Sequence, residues 1–227
     1  MMSIDLNFLQ QIGYVFSAML FIYGLKMLGK EDTAVKGNVI SALGMLLALL
    51  VTFGNILNPV LIFSAILIGG VIGSIFAIRV KMTSIPEMVA LFNGFGGLSS
   101  FFLAWSEFNT YSSVSVILFI TYLTVFIGGV TFSGSLIAYF KLSEIFKGSS
   151  KTLNTISRWL LIVFLGYLAI AMLQVISSSF GFFVFDFEII KLAFLGLLVI
   201  SLLSGLAFVL PIGGGDMPVV ISLLNSL

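Results

Sequence analysis

Apolar residues run through this chain in long unbroken stretches, separated by short polar clusters. Stretches at 8–28, 38–54, 59–79, 85–105, 114–140, 158–180 and 189–210 predict seven helices, and an eighth begins at 217. Crossing ~30 Å of hydrocarbon takes about 20 helical residues, so the seven complete stretches suit membrane spans. The runs are continuous rather than alternating, which excludes a β-barrel. The expected fold class is all-α, a polytopic transmembrane helix bundle of about seven complete spans plus the start of an eighth. The longest connection, 141–157, is charged and too small for a domain, so residues 1–227 read as one membrane domain.

Within the spans the polar positions fall on stripes. Helical spacing places Pro86, Ala90, Asn93, Gly97, Ser100 and Ala104 on one side of the fourth span. Leu91, Phe95, Leu98 and Phe102 fall on the other side, which should meet lipid or bulky neighbours. The fifth span repeats the arrangement: Thr121, Thr124, Gly128, Thr131 and Ser135 oppose Leu123, Phe126, Val130 and Ile137. Small residues four apart recur at Gly44/Ala48, Gly69/Gly73, Gly70/Ser74 and Gly129/Ser133, a spacing that lets helices approach closely.

Two segments match. Ile85-Pro86-Glu87-Met88-Val89-Ala90-Leu91-Phe92-Asn93 is echoed by Met217-Pro218-Val219-Val220-Ile221-Ser222-Leu223-Leu224-Asn225. Each has a Pro suited to the first turn of a helix and an Asn seven residues later. At 1.5 Å per residue those amides lie about 10–14 Å into the membrane. They suit either a hydrogen bond between helices or a water-lined path. Glu87 and Asp216 start the two helices. A carboxylate is favoured there by the helix dipole, and Asp216 also suits an N-cap. The second copy reads as cut in mid-helix at Leu227.

Composition agrees with a membrane protein: 60% of residues are hydrophobic, 8% are charged and mean hydropathy is +1.25. A net charge of +1 gives no reason to expect nucleic acid, and the absence of Cys and His removes the common metal and thiol chemistry. The first stretch follows Asp5 and lacks a small-residue cleavage site, so it reads as a retained span rather than a signal peptide. Charge sets the orientation. With the N-terminus outside, nine of the ten Lys and Arg residues fall on the cytoplasmic side, and Lys191 alone falls opposite. The two Pro-to-Asn helices then both run outward. Gly213-Gly214-Gly215-Asp216 lacks the GxxxxGK[ST] pattern and a preceding strand, so it is a turn and not a phosphate loop.

Several motifs carry a family resemblance along essentially the whole chain. They are Lys36-Gly37-Asn38, Ile68-Gly69-Gly70-Val71-Ile72-Gly73, Val80-Lys81-Met82-Thr83-Ser84-Ile85-Pro86-Glu87-Met88-Val89-Ala90, Gly129-Val130-Thr131-Phe132-Ser133-Gly134-Ser135 and Gly214 through Ser226. They resemble the beta subunit of proton-translocating NAD(P) transhydrogenase. The resemblance implies a nine-span membrane part followed by an NADP(H)-binding domain, with alpha subunits supplying the NAD(H) side and further spans. It also implies a homodimer of the alpha/beta unit in the cell inner membrane. Proton passage through the spans would be coupled to hydride transfer between NAD(H) and NADP(H) outside them.

By position, the family's proton path implies Asn93, Ser135 and Asn225, and its membrane-face coupling region implies Glu87 and Asp216. Some relatives carry His where Asn93 stands, and with no His here a titrating imidazole would have to come from an alpha-side helix. The end of the eighth span, the ninth span and the NADP(H) domain are missing from these 227 residues, so the stretch by itself is expected to bind no cofactor and transfer no hydride. The competing reading is a secondary transporter or a proton or ion channel subunit with no nicotinamide chemistry, supported by the repeat and the polar stripes.

Overall fold

The computed structural model describes residues 6–53, 58–110, 116–145, 151–180 and 187–226. These form eight α-helices, with no strand among the described residues. Six helices are long and apolar enough to span a membrane by length and composition. A further helix, at Lys151–Phe180, is 30 residues long. The helical bundle expected from the apolar runs is therefore what forms. The chain divides into two compact units, residues 1–78 and 79–227.

In the first unit, α1 (Leu6–Leu28) and α2 (Ala34–Phe53) form an antiparallel hairpin. Glycine sets its spacing. A Cβ on Gly24 would lie 2.8 Å from the Gly37 carbonyl oxygen, and one on Gly37 would lie 2.8 Å from that of Gly24. Neither backbone could yield. Polar side chains close the seam: Ser17 Oγ donates to the Gly44 carbonyl at 2.6 Å, and Tyr14 and Thr52 hydroxyls share a 3.0 Å bond. At the turn, Thr33 Oγ1 donates to the Met27 carbonyl at 2.7 Å, which also accepts from the Lys30 N–H at 3.3 Å, so the end of α1 is held by both side chain and backbone. The third helix, α3 (Pro59–Arg79), has no buried residue. Side chains added at Gly69, Gly70 and Gly73 would meet no described atom within 4 Å. The small-residue spacing predicted close packing there, and the described residues supply no partner.

The second unit is built around α5 (Val116–Leu142). It packs against α4 (Ile85–Thr110) on one side and α7 (Phe187–Val209) on the other, with α6 (Lys151–Phe180) against both α7 and α5 and α8 (Met217–Asn225) beside α4 and α5. Gly97 meets Gly128 across α4 and α5, and a Cβ on either would come within 2.8 Å of the other's backbone oxygen. One turn away, Gly94 faces Ser135, so α4 is antiparallel to α5. Between α5 and α7 the fit is reciprocal. Ser201 fills the space above Gly129, and Ser133 fills the space above Gly205, which makes these two helices parallel. Gly214 lies near Lys141 and Leu224 near Gly134, so α8 is antiparallel to α5 and runs the same way as α4.

One expectation is narrowed and one changes. Of the two neighbours the sequence allows for the face of α5 carrying Phe126 and Val130, lipid or bulky side chains, it meets the second: both residues are buried, because α5 is enclosed from both sides. Phe126 stacks on Phe164 of α6, and Phe108 of α4 stacks on Phe194 of α7 at 3.9 Å between ring centroids. The connection after the fifth span is also shorter than 141–157. α5 continues through Leu142, a left-handed Glu144 (φ 56°) follows, and α6 begins at Lys151.

Candidate functional site

The internal repeat is realised as structure. Each Pro-to-Asn helix is entered through a short 3-10 turn, Met82–Ser84 before α4 and Gly214–Asp216 before α8. Pro86 and Pro218 occupy the second helical position, where a missing N–H leaves no intrahelical bond unmade. α4 and α8 are parallel, and Asn93 and Asn225 both line one cleft of about 710 Å³.

The walls of the cleft follow from the stripes. Gly96, Gly97 and Ser100 continue the α4 wall, and Thr124, Gly128 and Thr131 form the α5 wall. Val89, Phe92, Ile127 and Leu224 give it apolar flanks. Gly96 borders open space, since a Cβ there would meet nothing within 4 Å. The hydroxyls of Ser100, Thr124 and Thr131 and the two amides could supply partners for water there.

Asn93 bridges the cleft and the packed interior. Its Nδ2 donates to Ser135 Oγ at 2.9 Å, and Ser135 is fully buried. Ser135 therefore touches the cleft only through Asn93. The amide makes the interhelical hydrogen bond that a purely structural Asn would make, and it also borders open space. Thr124 and Thr121 bond back to the carbonyls of Ile120 and Ile117, each at 2.8 Å, so their donors are held within their own helix. Their oxygens remain able to accept.

Glu87 and Asp216 lie apart from the cleft, in the first turn of α4 and at the entry to α8, at the same end of the two parallel helices. Asp216 occupies the N-cap position, yet its side chain makes no capping bond, and its backbone there is at φ −92°, ψ 0°. A capping Asp sits in extended backbone, so the sequence expectation of an ordinary cap does not hold. The carboxylate is exposed. Among the described residues no group of His, Cys, Asp or Glu has the clustering of a metal site.

One residue at this end carried no individual role in the sequence reading. Lys141, in the last turn of α5, is buried to 7% exposure. Its Nζ donates to the carbonyls of Val209 at 3.2 Å, Leu210 at 2.6 Å and Ile212. In the sequence it counted only as one of nine cytoplasmic-side charges. The available signal was its place directly after an unbroken apolar run, where a cation can reach the open carbonyls of a neighbouring helix end.

Comparison with known proteins bears on the whole chain. The profile of the family described as "PNTB: NAD(P) transhydrogenase beta subunit" matches residues 10–227. Two curated Rhodospirillum rubrum sequences, each described as NAD(P) transhydrogenase subunit beta, are 32% identical over 232 residues. The alignment covers 96% of this chain and 47% of each relative, so the chain spans about half the length of the proteins it matches. With the family profile covering nearly every residue, this chain belongs to the NAD(P) transhydrogenase beta subunit family.

Proposed function

We propose that these residues form the membrane part of a proton-translocating transhydrogenase, and that the α4–α5–α8 cleft is a segment of its proton path. The observation that carries this reading is the meeting of Asn93 and Asn225 on one cleft. Two repeated segments, 132 residues apart in sequence, deliver the same amide to the same space. An arrangement serving only helix adhesion would have no reason to leave both amides on an opening. Neither amide titrates, so the path would conduct through waters ordered by Asn93, Asn225, Thr124 and Thr131, with proton release and uptake at other groups.

Hydride transfer between NAD(H) and NADP(H) belongs, on this reading, to the half of the relatives' length that this chain does not match, together with alpha subunits. The working enzyme is a homodimer of alpha/beta units in the inner membrane. Glu87 and Asp216 at the entrance to the two helices are suited to pass conformational change from the nucleotide domains to the cleft. This stretch alone should show no saturable NADPH binding by calorimetry, and micromolar binding would overturn that division of labour.

The test of the cleft uses the complete enzyme in vesicles. Asn93→Leu should lower both proton pumping and coupled transhydrogenation at least tenfold while the protein inserts normally. An interhelical hydrogen bond in a membrane averages about 0.6 kcal/mol, too little to unfold the bundle by its loss. Unchanged rates and unchanged coupling would leave Asn93 with helix packing alone. Orientation is tested separately with single Cys residues in this Cys-free chain. The charge distribution places Ile145 in the cytoplasm and Asn109 outside. An impermeant thiol reagent on intact cells should label Asn109→Cys and not Ile145→Cys, and the reverse pattern would invert the topology.

A further inference from the structure

We infer that Lys141 is a positioning residue: its ammonium grips the α7–α8 turn and thereby sets where Asn225 stands in the cleft. This rests on the reading of the cleft as a proton path. The geometry is specific. Three carbonyls, those of Val209, Leu210 and Ile212, converge on one Nζ. Val209 ends α7 and Met217 begins α8, so the gripped stretch is the connection between the two helices. The Val209 carbonyl, which also accepts from the Ile212 N–H at 3.1 Å, lies at the negative dipole end of α7, and those of Leu210 and Ile212 lie just past it, so a buried cation is suited to them.

The turn is held to α5 elsewhere too. The Lys141 carbonyl oxygen lies 3.8 Å from where a Cβ on Gly214 would sit, in the 3-10 turn that feeds α8. From Met217 the chain is one continuous helix, with Met217, Val220, Ile221 and Leu224 buried along one side. Eight residues at 1.5 Å each carry a displacement of the turn to Asn225, about 12 Å away. Gly213, Gly214, Gly215 and Asp216 are exposed just beyond the grip. A pull on that exposed turn would be opposed first by Lys141, and Asn225 would move once the grip loosened.

The experiment reads position rather than activity. Asn225→Cys and, separately, Asn93→Cys are placed in the complete enzyme, cleared of any other Cys, in membrane vesicles; the 227 residues here already have none. The rate of modification of each introduced thiol by a small water-soluble methanethiosulfonate is then measured with Lys141 intact and with Lys141→Met, Lys141→Gln or Lys141→Arg. Lys141→Met should change the rate in the Asn225→Cys chain at least tenfold and leave that in the Asn93→Cys chain within twofold. Lys141→Arg, which keeps charge and donors, should restore the parent rate, and Lys141→Gln should fall between. If Lys141→Met fails to accumulate, the Gln and Arg variants decide by the same criterion. Parent-like rates in the Asn225→Cys chain with the Met or Gln variant would overturn the inference. So would equal changes at both positions, which would mean general loosening. If the labelling behaves as expected but proton movement in the complete enzyme is untouched by Lys141→Met, the grip stands and the proton-path reading of the cleft falls.

Discussion

The α1–α2 hairpin and the α4–α5–α8 group use the same materials to different ends. Both bring backbones together at glycine pairs, Gly24 with Gly37 in one and Gly97 with Gly128 in the other. Both carry hydroxyl and amide side chains inside apolar helices. In the hairpin the named polar groups are spent on closing the seam: Ser17 on the Gly44 carbonyl, Tyr14 on Thr52, Gln10 on the Val51 carbonyl. In the second group Asn93 also bonds across the seam, yet it shares open space with Asn225 and the threonines of α5. Polar content inside a span is therefore a weak indicator of a conducting path. Polar atoms that border a cleft after the helices have packed are what sets the second group apart.

Substitutions can press on that difference, and the largest effect should come from the glycine contact. Gly97→Leu would drive a side chain into the Gly128 carbonyl and the Phe132 amide, both within 2.8 Å of the first added carbon. Overpacking costs typically about 1–3 kcal/mol even where side chains can yield, and here the obstacle is backbone. Loss of the folded form in a detergent unfolding titration is expected. Retention of parent stability would mean that α4 and α5 do not meet as described.

A smaller and more selective effect is expected at the far wall of the cleft. Asn225→Leu should lower proton movement in the complete enzyme at least fivefold, with an unfolding midpoint close to the parent. A large shift in midpoint with normal pumping would make this half of the molecule behave like the hairpin. Ser17→Ala supplies the converse. It should cost about 0.6 kcal/mol, the average for a hydrogen bond between membrane helices, and leave pumping unaltered. A pumping defect there would erase the distinction between closed and open polar groups.

The smallest effect belongs to α3. Gly69→Ala adds a methyl group where no described atom lies within 4 Å, so stability in the isolated chain should be unchanged. The same change at Gly24, whose Cβ would sit within 2.9 Å of Gly37 and Ser41 backbone atoms, should destabilise measurably. Equal responses at the two positions would show that α3 is packed as tightly as the hairpin.

Much of this was legible in the residues. Helix positions follow from the apolar runs, and the inward face of α4 follows from its period: Ala90, Gly97 and Ala104 are buried while Phe95 and Phe102 are exposed. Asn93 and Asn225 were legible as a pair because the repeat fixes their distance from a helix start. What the residues could not express was the neighbour of each apolar face. Lipid and protein are equally apolar, so Phe126 and Val130 looked the same as an outward face until α6 and α7 enclosed them. Lys141 was hidden for a related reason. A lysine near a membrane face satisfies the charge rule whether its ammonium lies in water or on carbonyls 68 to 71 residues away.

The reciprocal fit of α5 and α7 has an evolutionary consequence. Gly129 and Ser133 on one helix meet Ser201 and Gly205 on the other, each serine set into a glycine. A slide of one turn, about 5.4 Å, would set serine against serine in one direction and glycine against glycine in the other, so the seam favours a single register. A lineage can therefore exchange partners only in pairs. Gly129→Ser should be disabling alone and tolerated beside Ser201→Gly, and a random-mutagenesis library selected for folded protein should recover the double exchange more often than the Gly129→Ser change by itself.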